Sequence, residues 1–174
     1  MNNYLITGPP RCGKTTLILK VTQNPLFSSR CGGFITEEVR EKGERIGFKI
    51  ISLPDKKEGF LAKKRFSSPH RVGKYGVNLK DLEDIGCSAI EDALDSNKTV
   101  VVDEIGKMEL FSEKFKNSLL KALDSPQKVL ASIMERRNEF ADRVKNRTDV
   151  TLVFLNRANF ESVLEKVSEW ITGP

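Results

Sequence analysis

The stretch "YLITGPPRCGKTTLIL", residues 4–19, leaves few folds open. An apolar run, Tyr4 to Thr7, meets a loop with two glycines, two prolines and a lysine. A second apolar pattern follows, with Leu17, Ile18 and Val21 on one helical face from Lys14 to Gln23, and Asn24-Pro25 ends it. Gly8-Pro9-Pro10-Arg11-Cys12-Gly13-Lys14-Thr15 fits G-x-x-x-x-G-K-[ST]. A loop of that form curls its backbone N–H groups inward, toward the oxygens of a phosphate. Gly8 and Gly13 supply the dihedrals and the close approach that a Cβ would obstruct. The helix that starts at Lys14 adds its positive end to the same anion. Gly8 to Thr16 are therefore the candidate nucleotide-binding residues, Thr16 included. Lys14 is placed to reach the β- and γ-phosphates, and Thr15 to offer a hydroxyl to Mg²⁺.

Downstream, "GFITEEVREKGERIGFKIISL" (33–53) holds two runs rich in β-branched and aromatic residues around Lys42-Gly43, the pattern of an antiparallel hairpin. "GFLAKKRF" (59–66) reads as a further strand, and residues 67–77 as a loop of small and basic residues. Asn78 caps a helix from Leu79 to about Asp95. Strands at 98–106, 128–133 and 149–155 alternate with helices over 112–123, 138–146 and 159–171. Continuous apolar strands alternating with helices predict an α/β three-layer sandwich with a mostly parallel central sheet, the hairpin being inserted into it. No internal boundary is visible, so residues 1–174 are expected to form a single domain.

"VVVDEI" ends such a strand in two acids. Open α/β sheets bind ligands at the carboxyl ends of their strands. Asp103 is thus a candidate Mg²⁺ ligand with Thr15. Glu104, one residue on, is a candidate catalytic base for a water attacking the γ-phosphorus, with Lys14 as its catalytic partner. Ser132, ending "VLASI", is placed to bond that water or the γ-phosphate, on a strand expected between those of residues 4–7 and 98–103. Arg136, Arg137, Arg143 and Arg147 are candidates for a guanidinium that meets the developing charge. Asn156-Arg157 follows the last strand, where the base would lie, and predicts loose base recognition. His70, the lone histidine, reads as a surface residue.

Three cysteines without metal-ligand spacing predict free thiols. The net charge of +5 suits a polyanionic ligand. No run of about 18 apolar residues and no basic-then-apolar start is present, so a cytosolic location without a membrane segment is expected.

The chain resembles the small nucleoside-triphosphate phosphatases first recognised in thermophiles, whose human relative is called cancer-related nucleoside-triphosphatase. The resemblance is carried by "GPPRCGKTTL", "GGFITEEVREKGERIGFKI", "VGKYGVNL", the "LNR" after the last strand and, above all, "DEIGKMELFS". It implies a P-loop sheet of the additional-strand type and an Mg²⁺-dependent hydrolase with broad base tolerance and slow turnover. Carried over, the loop from Gly8 to Thr15 binds phosphates while Asp103 and Glu104 serve metal and water. Lys107 and Glu109 belong to the signature without an assigned role. Arg11 stands where many members carry a small residue. Two other readings stay open. A nucleotide or small-molecule kinase shares the phosphate loop, and a nucleic-acid-associated regulatory ATPase would use the basic stretch "KKRFSSPHRVGK" (63–74). Nucleoside triphosphates are the expected partners, and a monomer the expected state.

Overall fold

The computed structural model describes residues 1–173. Its first third runs β1 (Asn3–Thr7), α1 (Lys14–Gln23), β2 (Cys31–Glu41), β3 (Glu44–Leu53) and β4 (Glu58–Lys64). Two short strands, β5 (Arg71–Val72) and β6 (Tyr75–Val77), lead to a helical stretch. That stretch is α-helical at α2 (Leu79–Asp81) and α3 (Ser88–Asp95), with a wide π turn over Leu82–Cys87 between them. Then come β7 (Thr99–Ile105), α4 (Glu113–Leu123), β8 (Val129–Ile133), α5 (Glu139–Lys145), β9 (Val150–Phe154) and α6 (Phe160–Thr172).

The strands form one nine-stranded sheet among the described residues, in the order β5-β6-β4-β3-β2-β7-β8-β1-β9. From β2 to β9 neighbouring strands are parallel; from β2 outward through β3, β4, β6 and β5 they are antiparallel. β8 lies between β1 and β7, as expected of the additional-strand arrangement. Side chains of a strand alternate between faces, and β7 is apolar on both because both are covered. Val100, Val102 and Ile105 pack with Ile90 of α3, Phe115 and Leu119 of α4, and Phe140 of α5. Val101 packs on the opposite face with Leu17 and Ile18 of α1 and Val163 and Val167 of α6. Phe115 has no exposed surface. Truncating such a side chain to Ala costs about 3–5 kcal/mol, so each helix layer is held by a few large residues.

One expectation needs correction. Residues 67–77 are not all loop, because β5 and β6 pair with each other and β6 with β4. The antiparallel hairpin is present as expected, and its first strand also joins the parallel sheet. Residues 31–35 of β2 are fully buried, and Cys31 to Phe34 pair in parallel with Thr99 to Val102 of β7. Only the outer part of β2 projects as an exposed ribbon with β3. Long-range parallel pairing leaves no local mark, whereas the Lys42-Gly43 turn does, so the ribbon is the part visible in the sequence.

Asn78 caps the helical stretch, its Oδ1 accepting from the Asp81 N–H, while Asp81 Oδ2 accepts from the Phe60 N–H and ties the helix to β4. Among the described residues no helix is long and apolar enough to cross a membrane.

Candidate active site

Parallel strands deliver their carboxyl ends to one edge, and the candidate residues gather there. The loop leaves β1 at Gly8, with φ +151°, and enters α1 through Gly13, with φ +107°. A Cβ at Gly8 would lie 2.6 Å from the Leu155 carbonyl oxygen and 2.9 Å from Cys12 Sγ. Both glycines are required by backbone conformation, and Gly8 also by contact. Lys14 folds back over the loop, its Nζ donating to the carbonyls of Gly8 at 2.9 Å and Pro9 at 3.3 Å. Those bonds hold the ammonium at the loop mouth. Pro9, Pro10, Arg11 and Thr16 are exposed, and Arg11 holds a left-handed φ of +63°. Cys12 is buried in the loop as a free thiol, as are Cys31 and Cys87 elsewhere; burial pushes the last two thiols up to about 11.

The acids sit at an irregularity of β7. Val102 pairs with Ala131 and Ile105 with Ile133, so β7 advances three residues while β8 advances two. The extra residue is accommodated at Asp103-Glu104, the kind of bulge that re-aims side chains beside a site. Asp103 is wholly buried. The Ser132 hydroxyl donates to its Oδ1, the Thr15 hydroxyl and Thr36 backbone N–H also stabilise its charge, and Oδ2 has no hydrogen-bond partner among the described residues. Burial raises the Asp103 pKa; the Ser132 and Thr15 hydroxyls and the Lys14 ammonium oppose the rise. Glu104, half-buried, is raised chiefly by burial and secondarily by Asp103, against the pull of Lys14. A buried oxygen left without a donor, next to a threonine hydroxyl, is a donor set suited to a hard cation.

Ser132 is thus spent on Asp103, which corrects the expectation that it would touch water or phosphate. The four arginines separate. Arg147 pairs with Asp124 at 2.6 Å and Asp149 at 2.7 Å near the amino ends of β1 and β9, the edge opposite the loop. Arg143 pairs with Glu139 at 3.7 Å on the exposed side of α5. Arg137 is exposed. Arg136 alone of the four lines the cavity that Lys14 and Glu104 also line. His70 is half-buried, its ring 5.0 Å from that of Phe111.

Two contributors were not assigned from sequence. Thr36, in the "GFITEEV" run, reaches Asp103 through β2, which pattern alone does not place beside β7. Glu109, 4% exposed, has its carboxyl pushed up to about 8, first by burial and then by Glu104. A Cβ on Gly106 would lie 3.0 Å from Glu104 Oε1 and 3.1 Å from Glu109 Oε2. The glycine of "DEIGKMEL" therefore leaves room for two acids that face the same point.

The comparisons with known proteins agree with this geometry. A family model described as NTPase matches residues 3–168. The nucleoside-triphosphatase THEP1 of Thermotoga maritima is 49% identical over 163 residues, 94% of this chain and 91% of that one. That of Methanocaldococcus jannaschii is 38% identical over 165 residues, 93% of this chain and 95% of that one. The crystal structure of THEP1 from the hyperthermophile Aquifex aeolicus superposes with a TM-score of 0.88 at 33% identity, covering 98% of this chain and 99% of that one. The solution structure of a human cancer-related nucleoside triphosphatase gives 0.83 at 31%, covering 99% and 98%. With its phosphate loop, its acid pair and these relatives matched along nearly its whole length, the chain belongs to the NTPase family.

Proposed function

We propose that the protein hydrolyses nucleoside 5′-triphosphates to the diphosphate and phosphate, with Mg²⁺ and with little discrimination among bases. The observation that carries this reading is the buried Asp103 Oδ2 without a partner, beside Thr15 and within the influence of Lys14. Thr15 and Asp103 would hold the cation. A divalent cation there neutralises charge on the phosphoryl oxygens. The loop of residues 8–16 binds the phosphates through the N–H groups of its non-proline residues, and the Lys14 ammonium, already held at the loop mouth, meets the β- and γ-oxygens. Glu104 accepts the proton of the attacking water; burial makes it a stronger base than an exposed carboxylate. The Ser132 hydroxyl, bonded to Asp103 Oδ1, holds the carboxylate in place. The name of the relatives, nucleoside-triphosphatase, supports the same chemistry. The reading takes residues 1–174 as one catalytic domain, monomeric and cytosolic.

The test is phosphate release from ATP, GTP, CTP and UTP, with and without Mg²⁺, phosphoryl acceptors and RNA. Release from all four at comparable rates, abolished by EDTA and restored by Mg²⁺, is expected. Turnover that needs an added acceptor would replace this reading with a kinase. Strong stimulation by RNA that fades with salt would replace it with a nucleic-acid-linked ATPase.

A further inference from the structure

We propose that the cavity adjoining the γ-phosphate end of the loop is a second-ligand site for a mononucleotide, filled while the loop holds its triphosphate. It is a second site only on the triphosphate reading given above. The open cavity, loop mouth included, measures about 620 Å³, within the roughly 300–1,000 Å³ of small-molecule sites.

Its near end is the loop mouth itself, lined by Gly8, Pro10 and Lys14, and only its far end lies apart from the room a triphosphate needs. One flank of the loop leans on Leu155 and Phe160, after β9 and in α6. Asn156-Arg157, the expected neighbours of the triphosphate's base, lie on that side and do not line the cavity. From Gly8, Pro10, Lys14 and Glu104 the cavity runs the other way, over β2 and β3 to Val72 and Tyr75. A triphosphate with its base toward β9 and its γ-phosphate toward β7 leaves that far end open.

Its lining suits a flat ring with a negative group. Phe48, Tyr75 and Met108 form an apolar wall, the two rings 5.4 Å apart at 72°. The Arg45 guanidinium lies 5.1 Å from the Phe48 centroid and 5.5 Å from the Tyr75 centroid, fixed by bonds to Glu38 and the Tyr75 hydroxyl. A guanidinium held beside aromatic rings adds to the surface that a base can contact. Lys74 and Lys107 line the same cavity and are exposed. Lys74 has one carboxylate contact, Glu44 at 4.0 Å, and Lys107 forms no salt bridge among the described residues. Two cations at this end favour a phosphate, while the Glu104 carboxylate repels one from the inner end. The occupant's phosphate is therefore directed to Lys74 and Lys107. Its body lies across the path by which water reaches Glu104.

The test uses the full chain saturated with Mg²⁺ and the β,γ-imido analogue of ATP. AMP, GMP, CMP and UMP are each titrated in by calorimetry. At least one is expected to bind once per chain with the analogue in place, and to slow phosphate release from ATP as it saturates. Lys74→Glu and Lys107→Glu should each weaken that binding about tenfold, and Val72→Trp, which fills the cavity, should abolish it. All three variants should still bind the analogue, which also shows that they fold. Absence of binding for all four monophosphates overturns the proposal. So does displacement of the monophosphate by the analogue, which would place it in the loop, or unaltered affinity in the variants. Failure of the analogue itself to bind refutes the triphosphate reading, and the second site with it.

Discussion

Glu109 makes the protein's stability depend on pH in a way that one substitution isolates. Its carboxyl is 4% exposed and pushed from 4.5 up to about 8, by burial first and by Glu104 second. Folding thus favours the protonated form. Below pH 4.5 the carboxyl is neutral in both states and costs nothing extra. Between 4.5 and 8 the unfolded chain has released the proton that the folded chain retains, so stability falls as pH rises. Above 8 the penalty is constant. At 1.36 kcal/mol per pH unit, a rise from 4.5 to about 8 corresponds to about 5 kcal/mol in all, of which about 4 kcal/mol is lost between pH 5 and pH 8. That is a large part of the roughly 5–15 kcal/mol that holds a domain folded. Glu109→Gln keeps the shape and cannot titrate. Urea unfolding of both proteins, without nucleotide or Mg²⁺, at half-unit steps from pH 5 to 8.5 gives two stability curves. Asp103 and Glu104 titrate in both, so the difference between the curves reports Glu109 together with its coupling to those two acids. The wild-type curve should fall more steeply, by several kcal/mol over this window, and the curves should run parallel above pH 8. Parallel curves throughout would refute the argument, because Glu109 would then be ionised in the folded protein or accessible to water.

Replacing Lys14 with Ala should remove triphosphate binding, measured by calorimetry, because Lys14 is the cation that the loop's own carbonyls hold at its mouth. Glu104→Gln should keep triphosphate affinity and lower kcat at least a hundredfold in a phosphate-release assay; normal turnover would exclude it as the base. Ser132→Ala leaves Asp103 without its buried donor, a loss of about 1–3 kcal/mol. It should raise the Mg²⁺ concentration needed for half-maximal turnover about tenfold or more. Arg136→Ala should reduce kcat, whereas Arg147→Ala should leave kcat intact and lower the urea midpoint, since its bonds lie at the other edge of the sheet.

The phosphate loop and its flanking elements were readable at residue level because everything they need is local. Gly8 and Gly13 relieve conformations of their own backbone, and Lys14 bonds carbonyls five and six residues away. The apolar strands and the stripes of α3, α4 and α6 were equally legible, since a period of two or 3.6 is written in neighbouring residues. The acid pair was visible for the same reason, as two carboxylates at the end of three valines. Non-local pairing settled the rest. Whether Ser132 faces phosphate or Asp103, whether Thr36 belongs to a projecting ribbon or to the site, and which of four arginines points at the loop all depend on strands whose register couples residues 29 to more than 100 positions apart. Glu109 illustrates the limit. Its neighbours Met108, Leu110 and Phe111 are apolar but do not say where the acid among them goes, and burial beside Glu104 follows only when β7 and the turn after it close over the same cavity. Charge and spacing reveal which groups are available; desolvation, which changes their chemistry, exists only once distant segments have excluded water together.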